Sequence, residues 1–153
     1  MELTEVQEKL IEYARAKGLA VLYLFGSVAH GQVDKFSDID VAVLLPEEIA
    51  AAEYFDRRLQ MTLELMEILN RSDVDLVILN QAPPLLKYQV VTRGRALYSR
   101  DDRERDRFAA RAILEYLDFK PILDLQFEYL KRRLKEGQFG VRPQYHPGTF
   151  EKA

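Results

Sequence analysis

The chain has no cysteine and no tryptophan. Without thiols it forms no disulfide, presents no thiolate nucleophile and builds no zinc site that needs sulfur. Histidine is nearly as scarce: His30 and His146 stand far apart and lack HExxH spacing, which argues against a histidine-based zinc enzyme. Basic charge is not in excess either. Twenty-two Lys and Arg against 25 Asp and Glu give a net charge of −3, a poor footing for sequence-independent nucleic-acid binding. The longest wholly apolar run, Leu19 to Phe25, is far short of the ~20 residues of a membrane helix. The acidic start MELTEVQEKL lacks the basic and apolar regions of a secretory signal, so the expected compartment is the cytoplasm.

What is present is enough for a core. At 153 residues and 48% hydrophobic composition, one domain of this size buries roughly 68–70% of the surface its unfolded chain exposes. No solenoid-type repeat or low-complexity tract interrupts it. The expected division is one domain over residues 1–136 and an irregular tail over 137–153, where glycines and prolines come without a period.

The punctuation of the chain alternates between helix and strand. Thr4 and Gln7 fit a capping box, Gly18 suits a left-handed stop, and Leu3, Val6, Leu10 and Ala14 make one face apolar, predicting a helix over Glu5 to Lys17. Ala20 to Gly26 reads as a buried strand, Ser27 to Lys35 as a turn with a helical turn or two, and Asp38 to Leu45 as a second strand. Glu47 to Asn70 reads as a long amphipathic helix with Leu59, Leu63, Met66 and Leu69 on its apolar stripe. Val74 to Leu79 is a third strand; Pro83 and Pro84 open a short helix that Gly94 closes, and Arg95 to Ser99 adds an edge strand. From Asp101 to Glu136 apolar residues recur every three or four positions across Pro121, allowing two helices or one kinked helix. The fold class is therefore α/β (α+β), a small mixed sheet of three to four strands packed by helices, with C-terminal helices.

Chemistry concentrates at the second strand. Alternation along a strand puts Asp38 and Asp40 on one side, ~7 Å apart, with Ile39, Val41 and Val43 on the other. Like charges so placed repel, and a divalent ion relieves the repulsion; all-oxygen ligands suit Mg²⁺ held together with substrate phosphates. Upstream, Gly26 and Ser27 end a strand and open a turn whose backbone N–H groups can cradle phosphate. A third acid, Asp75, lies on the next strand, and Asp73 shares its parity. Ser37-Asp38-Ile39-Asp40 and Ser72-Asp73-Val74-Asp75 enter their strands with the same S-D-x-D pattern.

The run GSVAHGQVDKFSDIDVAVLL, Gly26 to Leu45, resembles the signature of the polymerase-β-type nucleotidyltransferase superfamily: G-S, ten residues, then D-x-D. With the short length it is most similar to the minimal nucleotidyltransferases, the MNT antitoxins that accompany HEPN-domain toxins. The resemblance implies that Gly26 and Ser27 hold the nucleotide's phosphates, that Asp38 and Asp40 bind Mg²⁺, and that Asp75 is the third carboxylate. His30 departs from the arginine the family often has before the second glycine. Also implied are a polymerase-β-like fold and a type VII-like toxin–antitoxin role: transfer of AMP from ATP, with Mg²⁺, to a tyrosine hydroxyl of a HEPN ribonuclease toxin. Neutralisation of the toxin by binding alone, and transfer to a small molecule, are the alternatives.

Overall fold

The computed structural model describes residues 2–30 and 37–137. Helix α1 (Leu3–Lys17) leads into β1 (Val21–Phe25), a 3-10 turn (Ser27–His30) and β2 (Ile39–Leu44). Helix α2 (Tyr54–Leu69) then precedes β3 (Val74–Ile78), α3 (Pro84–Arg93), β4 (Arg95–Ser99) and α4 (Asp102–Lys135). The four strands form one sheet in the order β3-β2-β1-β4. Neighbours β1–β2 and β1–β4 are antiparallel, while β2 and β3 run parallel. A parallel pair needs a crossover, and α2 supplies it. This is the mixed sheet packed by helices that the sequence predicts.

The sheet is covered on both faces, which explains why β2 reads as a continuous apolar run. On one face Leu22, Leu24, Val41, Val43, Leu76 and Ile78 pack with the buried sides of α1 and α2. On the other, Val21, Tyr23, Ala42 and Leu44 pack with Leu79, Val90 and the half-buried Phe108. Tyr13 and Lys17 of α1 both donate to the Glu64 carboxylate of α2, at 2.6 and 2.8 Å, tying the two helices together. Across α3 and α4 the rings of Tyr88 and Tyr116 stack with centroids 3.9 Å apart.

Several local expectations are revised. The capping box does not form: α1 begins at Leu3, with Glu2 at its cap and no side-chain cap hydrogen bond. Val6 N–H bonds Glu2 C=O at 3.1 Å and Leu3 packs on the core, so packing extends the helix past the polar start signal. Gly18 does adopt the left-handed conformation, at φ 66°. Glu47–Ala50 are not helical, since Ile49 N–H closes a turn on Pro46 C=O and Ala50 is extended. A 3-10 turn (Ala51–Glu53) precedes α2.

The face of α2 matches the predicted stripe at Met66, which packs on the core, and at Leu69, but not at Leu59 and Leu63. Met61, Leu65 and Leu69 are buried against the sheet, whereas Leu59 and Leu63 are 55% and 59% exposed. Both rows recur every four residues, so periodicity alone cannot say which one the sheet takes. Gly94 closes α3 for want of room and not for a left-handed angle: its φ is −76°, and an added Cβ would meet Val90 O at 2.5 Å. Helix α4 is a single element with Pro121 inside it.

The first compact unit of the chain extends to Leu117 and a second begins at Asp118. The second, taken by itself, is helical to Lys135, and Phe127, Leu130 and Leu134 on its predicted stripe are exposed. Most of the expected tail, from residue 138 on, lies outside the described residues. The orientation of α2 can be checked by urea titration. Leu65→Ala is expected to cost about 2–5 kcal/mol, the range for emptying a packed leucine site. Leu63→Ala, two positions away, should stay within about 0.5 kcal/mol.

Candidate active site

The sequence-predicted residues meet at one end of the sheet, where β1 finishes and the parallel strands β2 and β3 begin. β1 ends at Phe25, which is the register partner of Asp40. The next residue, Gly26, turns the chain away at φ 74°. A Cβ there would overlap the Asp40 carboxylate, so glycine is required both by the backbone angle and by the acid packed against it. Ser27, exposed, opens the 3-10 turn, in which Ala29 N–H bonds Gly26 C=O at 3.2 Å. Gly31 and the rest of the predicted turn to Lys35 lie outside the described residues, as does the side chain of His30.

Asp40 stands opposite Asp75 in the parallel ladder, and Ile39 opposite Val74. The two S-D-x-D segments thus enter neighbouring strands in exact alignment, which their sequence echo hinted at without establishing. Asp40 is half-buried, while Asp38, one residue before β2, and Asp75, on the edge strand, are exposed. Burial raises the pKa of Asp40 above the usual aspartate value, and the negative charges of Asp75 and Asp38 add to the rise. A cluster of this kind concentrates negative charge, and a divalent cation is the natural relief.

Two arginines organise the acids, and spacing did not show that either would pair with them. Arg58 of α2 donates Nε–H to Leu76 C=O at 2.8 Å, covering the open edge of β3, and its Nη2 lies 3.7 Å from Asp75 Oδ1. Arg71 holds Asp73 through both carboxylate oxygens, which lowers the Asp73 pKa and draws that acid out of the cluster. Arg57, next to Arg58 on α2, pairs instead with Glu53 one turn back.

The donor chemistry and the backbone register fit a hard cation. As the side chains stand, no three acidic or histidine groups among the described residues close around a common metal position. Asp75 leans toward Arg58, so a bound ion would have to compete with that weak, solvent-exposed pair. The site is an open shelf. A cavity of about 550 Å³ lies elsewhere, past the far ends of β2 and β3, lined by Leu44, Leu45, Asn80 and Arg107 among others, and none of the three aspartates reaches it.

Residues 8–103 match the family model described as polymerase beta, nucleotidyltransferase. The chain belongs to the polymerase beta nucleotidyltransferase family. Gly26, Ser27, Asp38, Asp40 and Asp75 all fall within the matched span of this nucleotidyltransferase. Two curated relatives share the name protein adenylyltransferase MntA. That from Shewanella oneidensis is 39% identical over 64% of this chain and 66% of its own length. That from Aphanizomenon flos-aquae is 30% identical over 88% of this chain and 91% of its own. Among solved structures, a toxin–antitoxin with AMP-PNP has a TM-score of 0.69 at 30% identity, covering 82% of this chain and 98% of the other. A tri-AMPylated Shewanella oneidensis HEPN toxin in complex with MNT antitoxin has a TM-score of 0.67 at 28% identity, covering 84% and 98%. The MNT resemblance of the sequence is therefore carried by relatives and by fold alike.

Asp40 gives a pH signature. Its folded pKa is raised, so between its unfolded and folded values the native state holds the extra proton and stability falls as pH rises through that window. In metal-free buffer, Asp40→Asn should raise the thermal midpoint relative to wild type at neutral pH. The gain should vanish below the ordinary aspartate range, read by circular dichroism melts across pH. Gly26→Ala should cost about 1–3 kcal/mol from the forced overlap with Asp40, measured by the same melts.

Proposed function

We propose that this chain is the antitoxin of a type VII-like pair and transfers AMP from ATP to a tyrosine hydroxyl of a HEPN-domain ribonuclease toxin. The observation that carries the reading is the alignment of Asp40 with Asp75 beside the Gly26 bend, in a chain whose relatives are protein adenylyltransferases. The solved relative with a tri-AMPylated HEPN toxin supplies the partner class.

In the reaction, the acceptor oxygen forms a bond to the α-phosphorus of ATP, the bond from that phosphorus to the bridging oxygen breaks, and pyrophosphate leaves in line. The residues position and neutralise charge. Gly26 and Ser27 present backbone and hydroxyl to the phosphates, with no side chain at Gly26 to block their approach. Two Mg²⁺ ions would be held by Asp38, Asp40 and Asp75, and when bound would lower the acceptor's proton affinity and stabilise charge on the leaving group. Asp75, exposed on the edge strand, is the carboxylate nearest an incoming acceptor. The acceptor's proton passes to solvent or to this carboxylate.

An open shelf suits a protein acceptor. A small substrate would need walls that the described residues do not provide, whereas a docked protein both covers the shelf and supplies the hydroxyl. No helix among the described residues is long and apolar enough to cross a membrane.

A second reading, neutralisation by binding alone, draws on the exposed row Phe55, Leu59 and Leu63 along α2. One experiment separates the two. Incubation of the cognate HEPN toxin with this protein, ATP and Mg²⁺ should add adenylate-sized increments to the toxin's intact mass, and a chelator should abolish them. Asp40→Asn should reduce the labelling rate by at least about 100-fold, the scale of one lost electrostatic contact to the transition state. If Asp40→Asn still protects cells fully from the toxin, binding alone is the operative mode.

A further inference from the structure

We infer that Arg71 is a positioning residue for the metal-binding acids, and that the paired S-D-x-D segments are the two halves of the device it locks. The inference rests on the metal reading of Asp38, Asp40 and Asp75 given above. Its own evidence is the geometry where the two parallel strands begin.

Arg71 is set in place by the end of α2. Asn70 takes the left-handed conformation at φ 50°, and Arg71 N–H bonds Met66 C=O at 3.0 Å, closing the helix and aiming the next residue at the sheet. Its guanidinium then makes three hydrogen bonds. Nε–H reaches Asp73 Oδ1 at 2.8 Å, and Nη2 reaches both Asp73 Oδ2 at 2.5 Å and the backbone carbonyl of Ser37 at 2.6 Å. Only 14% of the Arg71 side chain and 28% of the Asp73 side chain is exposed, so these charge-assisted bonds are partly shielded from water. Asp73 is engaged a second time through its own carbonyl, which accepts Ile39 N–H at 2.9 Å and begins the parallel ladder.

The consequence falls on Asp38. Asp40 is held by the ladder on both sides, paired with Phe25 and with Asp75. Asp38 precedes the strand and has no register partner, and residues 31–36 before it lie outside the described residues. Among the described residues, the Arg71 bond to Ser37 C=O is a tether immediately preceding Asp38, and it is fastened to the segment that leads into Asp75. One guanidinium couples the backbone before Asp38 to the backbone before Asp75, fixing the spacing of two acids on different strands. Lysine cannot replace it, because an ammonium lacks the planar fork that engages a carboxylate and a carbonyl together.

Metal binding can be read directly, with Mn²⁺ as the probe, by electron paramagnetic resonance on the full chain. Wild-type binding that Asp40→Asn removes upholds the metal reading; its absence ends that reading and the role of Arg71 with it. Given that binding, Arg71→Ala and Asp73→Asn should each raise the Mn²⁺ dissociation constant by about 10- to 100-fold, the usual effect of removing a partner that orients metal ligands. Arg71→Lys should recover little of the loss. Adenylyl transfer by Arg71→Ala should climb back as Mg²⁺ is raised, with an unchanged KM for ATP at saturating Mg²⁺, whereas a partly unfolded protein would lose rate equally at every Mg²⁺ concentration. Asp73→Asn, nearly isosteric, keeps the test open if Arg71→Ala does not fold. Mn²⁺ affinity within about twofold of wild type in the variants, or a rate loss that no Mg²⁺ concentration repairs, overturns the inference.

Discussion

The parallel pairing of β2 with β3 is the contact on which the rest of the molecule depends. It sets Asp40 across from Asp75, and its first bond, from Ile39 N–H to Asp73 C=O, lies at the rim of the site. Parallel strands cannot be joined by a hairpin, so the pairing requires α2 as a crossover, and α2 in turn places Arg58 and Arg71 beside the acids. Because side chains alternate along a strand, a slip of one residue would send Asp75 to the opposite face, toward the packed side of α2. Apolar burial on both faces of the sheet resists that slip.

The core and the site oppose one another in energy. Burial of Ile39, Val41 and Val43 drives β2 into the sheet, and the same movement carries Asp40 into partial burial among like charges, where its ionisation is disfavoured. The fold tolerates this because the burden is confined to the sheet's end. Asp38 and Asp75 keep contact with water, and Asp73, which would add a fourth charge, is neutralised by Arg71. The acids are thus partially solvated and partially paired, a state that a cation and a polyphosphate together can complete.

Much of this was legible in the residues because it is local. Gly26-Ser27 and D-x-D need only fixed spacing to announce a bend and a pair of acids where a strand begins, although Asp38 falls just before β2 and not in it, and the strands and α1 follow from short-range pattern. The buried side of α2 was legible only toward its C-terminal end, at Met66 and Leu69; nearer its start two apolar rows with the same period compete, and only the sheet selects Met61 and Leu65 over Leu59 and Leu63. Gly94 was placed correctly for the wrong reason, because its need for space comes from Val90 and Leu24 folding over it and not from its own backbone angle. Thr4 carried a valid start signal that packing of Leu3 overrode. The pairing of Arg58 and Arg71 with these acids left no trace in spacing, although Arg71 adjoins an S-D-x-D whose duplicate was visible.

Taken alone, the order of residues determined what neighbours along the chain can decide: which segments are strands or helices, which glycine bends, which acids stand where β2 begins, and which family the chain resembles. Only the tertiary structure decided which acid from a distant strand joins them and which arginines hold the set together. The physical reason is that register and helix rotation are settled by burying apolar surface between segments remote in sequence, a collective quantity that no short window of residues contains.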